Sequence, residues 1–131
     1  MKKQGILNYQ IETCIARIGH TQSIVICDAG LPVPQGKTVV DIALIPGVPT
    51  FLQVLDAIAG EMVIESYVYA EEIMDRNPEV FQAMSVSLDG LPSRSLSHEA
   101  FKMESLAAEV FIRTGECSPY SNVILIGGVT F

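Results

Sequence analysis

The sequence predicts an α/β protein, a three-layer α/β/α sandwich with a mostly parallel or mixed central sheet. Three observations point there. Short apolar, β-branched runs such as Ile24-Val25-Ile26-Cys27 and Val123-Ile124-Leu125-Ile126 are bounded by turn-rich segments. Stretches with apolar residues at helical spacing stand between such runs, so the two periods alternate along the chain. No repeat, linker or low-complexity stretch interrupts the 131 residues, which read as a single domain, 1–131.

The elements follow in order. Asn8 can cap a helix running to about Ile18, with Ile11, Cys14, Ile15 and Ile18 on one face and Gly19 as its stop. The strand 24–27 delivers Asp28 at its carboxyl end, where open α/β sheets bind ligands. Leu31-Pro32-Val33-Pro34-Gln35-Gly36 is a stiff loop, because two prolines remove donors and fix φ. Thr38 to Leu44 reads as a strand, and Pro46-Gly47-Val48-Pro49 as a second stiff loop. Thr50 begins a helix whose buried face carries Phe51, Val54, Leu55 and Ile58, with Gly60 at its end. Met62 to Ala70 is a strand. Asn77-Pro78-Glu79 has the form of a helix start: cap, proline in the first turn, and an acid near the positive dipole end. That helix ends at Asp89-Gly90. Ser93 to Leu96 is a short strand, and Ser97 caps a helix from His98 to about Glu109. Val110 to Arg113 and Val123 to Ile126 are the last strands, separated by a long polar loop.

Composition narrows the function classes. The net charge is −7, from 15 acidic and 8 basic residues, with no basic block to neutralise phosphates. Nucleic acid and anionic membrane surfaces are therefore poor partners. Apolar residues make up 49%, and the mean hydropathy is +0.37. No apolar run approaches the ~20 residues of a membrane helix. The surplus points instead to buried subunit interfaces. Met1-Lys2-Lys3-Gln4-Gly5 has no apolar run or cleavage site after it, so no signal peptide is expected. Three cysteines far apart, with no CxxC, fit a reducing cytosol. Cys14 and Cys27 read as small buried apolar residues.

Few residues can carry chemistry. There are two histidines, His20 just after a helix end and His98 in the first turn of another. Their opposite positions relative to the helix dipoles suit acid and base roles, if they share a site. Two solvated histidines with no task fit the same placement. Asp28 reads as a pocket carboxylate or as a turn former before Ala29-Gly30. Tyr120, Ser121 and Asn122 offer hydroxyls and an amide suited to sugar recognition, or to an ordinary turn after Pro119. Lys102, one turn after His98, reads as a solvated lysine. Arg113 and Glu116 read as holding the long loop by pairing. The chain has no glycine-rich phosphate loop, GxSxG elbow or HExxH pattern. No metal and no cofactor are therefore expected.

One resemblance covers the chain essentially end to end. It is carried by Gly5-Ile6-Leu7-Asn8, Gly19-His20-Thr21, Asp28-Ala29-Gly30-Leu31-Pro32-Val33-Pro34 and Pro46-Gly47-Val48-Pro49-Thr50-Phe51. It continues in Leu96-Ser97-His98-Glu99, Ile112-Arg113-Thr114-Gly115-Glu116 and Ser118-Pro119-Tyr120-Ser121-Asn122. Together these segments resemble the D-ribose pyranase family, whose other branch includes fucose mutarotases. The Ala29-Gly30-Leu31-Pro32 continuation resembles the ribose branch. The resemblance implies a cytoplasmic enzyme that interconverts the pyranose and furanose forms of D-ribose. It implies His20 as proton donor, with Asp28, His98, Tyr120, Ser121 and Asn122 binding the sugar. It also implies a homo-oligomer, a decamer of two stacked pentamers, with sites between neighbours. Two alternatives are a mutarotase for fucose-type sugars and a non-catalytic sugar-binding regulatory subunit. Intact His20 and His98 favour an enzyme, because a binding module needs no proton carrier.

Overall fold

A computed structural model describes all residues, 1–131. One six-stranded sheet organises the chain. Its strands are β1 (Ser23–Cys27), β2 (Thr38–Asp41), β3 (Ile64–Ala70), β4 (Ser93–Leu96), β5 (Val110–Arg113) and β6 (Val123–Gly127). They lie in the order β2-β5-β1-β6-β3-β4. The sheet is mixed: β2, β5 and β1 run parallel, β6 runs antiparallel to both β1 and β3, and β3 and β4 are parallel. The predicted class therefore holds, with the mixed alternative correct.

The helices are α1 (Tyr9–Arg17), α2 (Phe51–Ala59), α3 (Ile73–Arg76), α4 (Pro78–Ser87) and α5 (His98–Ser105). Strand alternation splits the core into two layers. Ile24 and Ile26 of β1, with Val110, Ile112, Val123 and Leu125, pack under Ile11, Phe51, Leu55, Ile58 and Met84 of α1, α2 and α4. Val25, Cys27, Phe111 and Ile124 face the other way, against Phe101 of α5. Phe51, Leu55, Ile58 and Phe101 are fully buried, each stabilising the fold by roughly 1.5–3 kcal/mol relative to exposure. Burial pushes the Cys27 thiol up to about 12, so Cys27 is an inert core residue, as expected. Cys14 is only half-buried.

The predicted Asn8 cap forms, and Thr50, read in the sequence only as the start of a helix, caps α2. Asn8 accepts from the N–H of Gln10 and Ile11 at 3.0 Å. Thr50 and Gln53 make a reciprocal capping box, which locks the start of α2. Other boundaries differ from expectation. β2 stops at Asp41 rather than Leu44, because the Asp41 carboxylate accepts from Ala43 N–H and turns the chain into a hairpin joining Ile45 to Val48. α5 ends at Ser105, whose hydroxyl bonds back to the Lys102 carbonyl, rather than near Glu109. α3 was not expected; four residues are too few to show a period. Asn77 starts α4 without capping it. No helix is long and apolar enough to cross a membrane.

Candidate functional site

Two places hold the residues singled out in the sequence, and they lie at opposite ends of β1. The carboxyl end carries the denser cluster. Asp28 leaves β1 there, and Asn122 enters β6 beside it, because Ile26 pairs with Val123 across the ladder. The two side chains interlock. The Asn122 amide oxygen accepts from Asp28 N–H at 2.9 Å, and its nitrogen donates to Asp28 Oδ2 at 2.8 Å. Gly30 N–H donates to the remaining oxygen, Oδ1, at 2.9 Å, closing an Asx turn. The segment is also tied from β5: Thr114 bonds to the Cys27 carbonyl through both its N–H and its hydroxyl, and Ala29 N–H donates to the Glu116 carbonyl.

His98 reaches the same place at the start of α5. Ser97 caps that helix through Ala100 N–H, and the Glu72 carboxylate takes the N–H of His98 at 2.9 Å. The His98 ring meets Tyr120 edge to face, centroids 5.1 Å apart, and stacks on Phe101 at 6.4 Å. Its Nδ1 is buried without a hydrogen-bond partner. Tyr120 holds φ at +58°, a left-handed conformation that is unusual for a non-glycine residue and frequent at binding sites. Asp28, Gly30, Leu31, Pro32, His98, Pro119 and Tyr120 line an open cavity of about 270 Å³.

Asn122 and Ser121 are fully buried and lie behind this wall. Asn122 is committed to Asp28. The Ser121 hydroxyl sits 2.9 Å from that of Ser118 and accepts from the Asn77 amide at 3.1 Å. Asn77, expected as a helix cap, instead holds the loop: its nitrogen also donates to Ser118 Oγ and to the Pro119 carbonyl. Glu116 and Arg113 do not pair with each other. Glu116 accepts from the N–H groups of Phe51, Cys117 and Ser118, while Arg113 bonds Asp41 and the Ala29 carbonyl. Burial acts to raise the Glu116 pKa, but the bonds from Ser118, Phe51 and Cys117 outweigh it and hold the carboxyl below its usual range. Lys102 pairs with Glu99 one turn earlier and does not line the cavity.

The amino end of β1 carries His20. Its ring is half-exposed, and its Nε2 lies 2.9 Å from Glu65 Oε2. The strand between His20 and Asp28 spans roughly 15 Å at ~3.3 Å per residue. Within one chain, then, His20 does not share the cavity with Asp28, His98 and Tyr120. Glu65, Glu72 and Asn77 were not singled out in the sequence as site residues. Glu65 looks there like any outward-facing strand residue, and Glu72 and Asn77 like helix-start polar residues.

Fold and site together define a small α/β protein with a polar cavity of monosaccharide scale, walled by a carboxylate, an imidazole and a phenol. Comparison with known proteins narrows that class. Residues 1–130 match the RbsD / FucU transport protein family, and the chain belongs to that family. It is 48% identical to the D-ribose pyranase of Haemophilus influenzae, covering all of both chains. It is 47% identical to the D-ribose pyranase of Geobacillus kaustophilus, covering all of this chain and 96% of that one. The structure of Bacillus subtilis RbsD complexed with D-ribose superposes with a TM-score of 0.96, at 44% identity and full coverage of both chains. A fucose mutarotase from Streptococcus pneumoniae, in complex with L-fucose, shares the fold at a TM-score of 0.84 and 24% identity, covering 99% of this chain and all of that one.

Proposed function

We propose that this protein is a D-ribose pyranase, interconverting the pyranose and furanose rings of D-ribose. Full-length relatives at 47–48% identity carry that name, and a close structural neighbour was solved with ribose. The observation that carries the reading is the cavity wall of Asp28, His98 and Tyr120, with Asp28 fixed by Asn122. Fixed acceptors of this kind orient a polyhydroxyl ligand.

The chemistry needs an acid and a base and no redox step. A base takes the proton of the anomeric hydroxyl while an acid protonates the ring oxygen. The bond from C1 to the ring oxygen breaks and leaves an aldehyde and a free C5 hydroxyl. The C4 hydroxyl then attacks C1, and the two protons return. His98, on the wall, is the acceptor for the anomeric proton, and His20 is the donor to the ring oxygen. Tyr120 packs against the sugar, and Ser121 and Asn122 set the loop and the carboxylate that hold it.

His20 can serve that cavity only if a second subunit supplies it. The working site therefore lies between chains, with Asp28, His98 and Tyr120 from one subunit and His20 from its neighbour. Leu44, Ile45 and Val48, on the hairpin near Ala29 and Gly115, are exposed apolar residues that support such an interface. We read the assembly as a decamer of two stacked pentamers, working in the cytoplasm. Saturation-transfer NMR on ribose and on fucose tests the function. Faster exchange between the pyranose and furanose signals of ribose, but not of fucose, is the expected result. Faster exchange on fucose alone would favour a fucose-type mutarotase. Ribose binding without faster exchange would leave a sugar-binding subunit.

A further inference from the structure

The amino end of β1 contains a second, smaller arrangement that the cavity does not explain. The ladder between β3 and β6 breaks at Glu65: Ile64 pairs with Gly127 and Ser66 with Ile126, so Glu65 is the extra residue of a bulge. Bulges bend a strand and re-aim a side chain, and they are frequent beside active sites. Here the bulge has two effects. Ile64 and Tyr67, three apart, both face the larger core, and the Glu65 carboxylate meets the His20 ring at 2.9 Å.

The loop that carries His20 is held just as specifically. Thr21 adopts a left-handed φ of +67°, and its N–H donates to the Gly127 carbonyl at 2.9 Å. A Cβ on Gly127 would stand 2.9 Å from the Gly19 carbonyl oxygen and 2.6 Å from Ile18. A Cβ on Gly128 would stand 3.3 Å from Glu65 N. The two glycines thus form a seam across which the His20 loop and the Glu65 bulge approach.

An ionised carboxylate only accepts hydrogen bonds, so the His20 nitrogen beside it must carry the hydrogen. A carboxylate in this position fixes the tautomer and orientation of an imidazole. We propose that Glu65 is a positioning residue for His20: it accepts Nε2–H and leaves Nδ1 as the nitrogen that exchanges a proton with the sugar ring oxygen. The proposal rests on the assignment of His20 as the proton carrier.

The test uses the assembled protein with 15N-labelled histidine. Two histidines keep the spectrum simple, and His98→Gln assigns it. At a pH where the rings are neutral, wild-type His20 is expected as the Nε2–H tautomer alone. In Glu65→Ala it should become a mixture of both tautomers. In the same variant kcat for ribose ring exchange should fall roughly 10–100-fold, by analogy with loss of the outer partner of a metal-bound imidazole. KM should stay within about twofold, since no ground-state contact to the sugar is lost. Glu65→Gln, whose amide oxygen accepts the same N–H, should restore the single tautomer and most of kcat. An Nδ1–H tautomer in the wild type would overturn the proposal, and that reading needs no variant. So would a Glu65→Ala protein that keeps the wild-type tautomer, whatever its rate. If His20→Ala leaves exchange untouched, the catalytic reading of His20 fails, while the tautomer measurement still decides the contact with Glu65.

Discussion

The two ends of β1 are built differently. At the carboxyl end, Asp28 is held by three hydrogen bonds, its backbone is tied to β5, and its partner Asn122 is fully buried. At the amino end, His20 is half-exposed and has one side-chain partner, itself half-exposed. The first end is a finished wall; the second is open to solvent. Binding needs acceptors fixed before the ligand arrives, since rigid placement lowers the ordering cost. A proton carrier needs a free nitrogen and a route to the reacting atom. The contrast is what the proposed division of labour, binding at one end and proton transfer at the other, requires.

Removing the proposed proton carrier should give the largest effect. His20→Ala is expected to slow ring exchange by about 10²–10⁴-fold, the usual worth of positioned acid–base help, while ribose binding weakens little. Saturation transfer measures the rate and titration calorimetry the affinity. A large loss of affinity with an unchanged maximal rate would place His20 among the binding groups and erase the contrast.

The opposite end should answer in the opposite way. Asn122→Ala strips Asp28 of two bonds and leaves a donor and a carboxylate oxygen without partners. The cost should be about 1–3 kcal/mol in stability, with a raised KM. Asp28→Ala should weaken ribose binding while leaving the fold of α5 and its His98 intact. Urea denaturation and calorimetry separate the two.

Much of this was legible in the sequence. The apolar face of α2 and the β-branched run of β1 each have one dominant period, so element type followed directly. Asp28 and Asn122 stood out through their places beside strand ends, though nothing in their 94-residue separation showed that one holds the other. Three features were hidden. The end of β2 depends on a side chain–backbone bond from Asp41 to Ala43, which outweighs the β-branched pattern. Asn77 has the sequence of a cap, but its amide found three partners in a loop distant in sequence. Glu65 depends on a bulge, which is a property of pairing between strands. The distance between His20 and Asp28 was also beyond a one-dimensional reading, because it follows from which end of β1 each residue occupies.

A smaller effect should come from Glu116, which ties the start of α2 to the loop of the wall. Its folded pKa lies below the ordinary 4.5. Its contribution to stability is therefore present above that value and is lost as pH falls through the depressed folded pKa. Thermal melts of Glu116→Gln should show a lower Tm than wild type at neutral pH, with the gap closing as pH drops below 4.5. A gap that widens in acid would mean that the carboxylate is not held by those N–H groups.

The smallest effect should be that of chelation. The two histidines sit at opposite ends of β1, and no group of three or more His, Cys, Asp or Glu side chains that could hold a metal forms within one chain. Exchange should survive exhaustive EDTA treatment. Loss of activity that one added metal restores would show that the ends are joined by an ion rather than by a proton path.

The central claim is that the two ends of β1 work together only across subunits. Mixing His20→Ala with Asp28→Ala subunits tests it directly, after both are shown by light scattering to assemble above the 14.2 kDa chain mass. Each variant alone should exchange ribose ring forms far more slowly than wild type. After dissociation and joint reassembly at equal ratio, roughly a quarter of the sites in a head-to-tail ring should pair an intact His20 with an intact Asp28. Saturation-transfer NMR should then show exchange recovering to about that fraction of the wild-type rate. Mixed assemblies, verified by mass, that remain as slow as the parent variants would contradict the account.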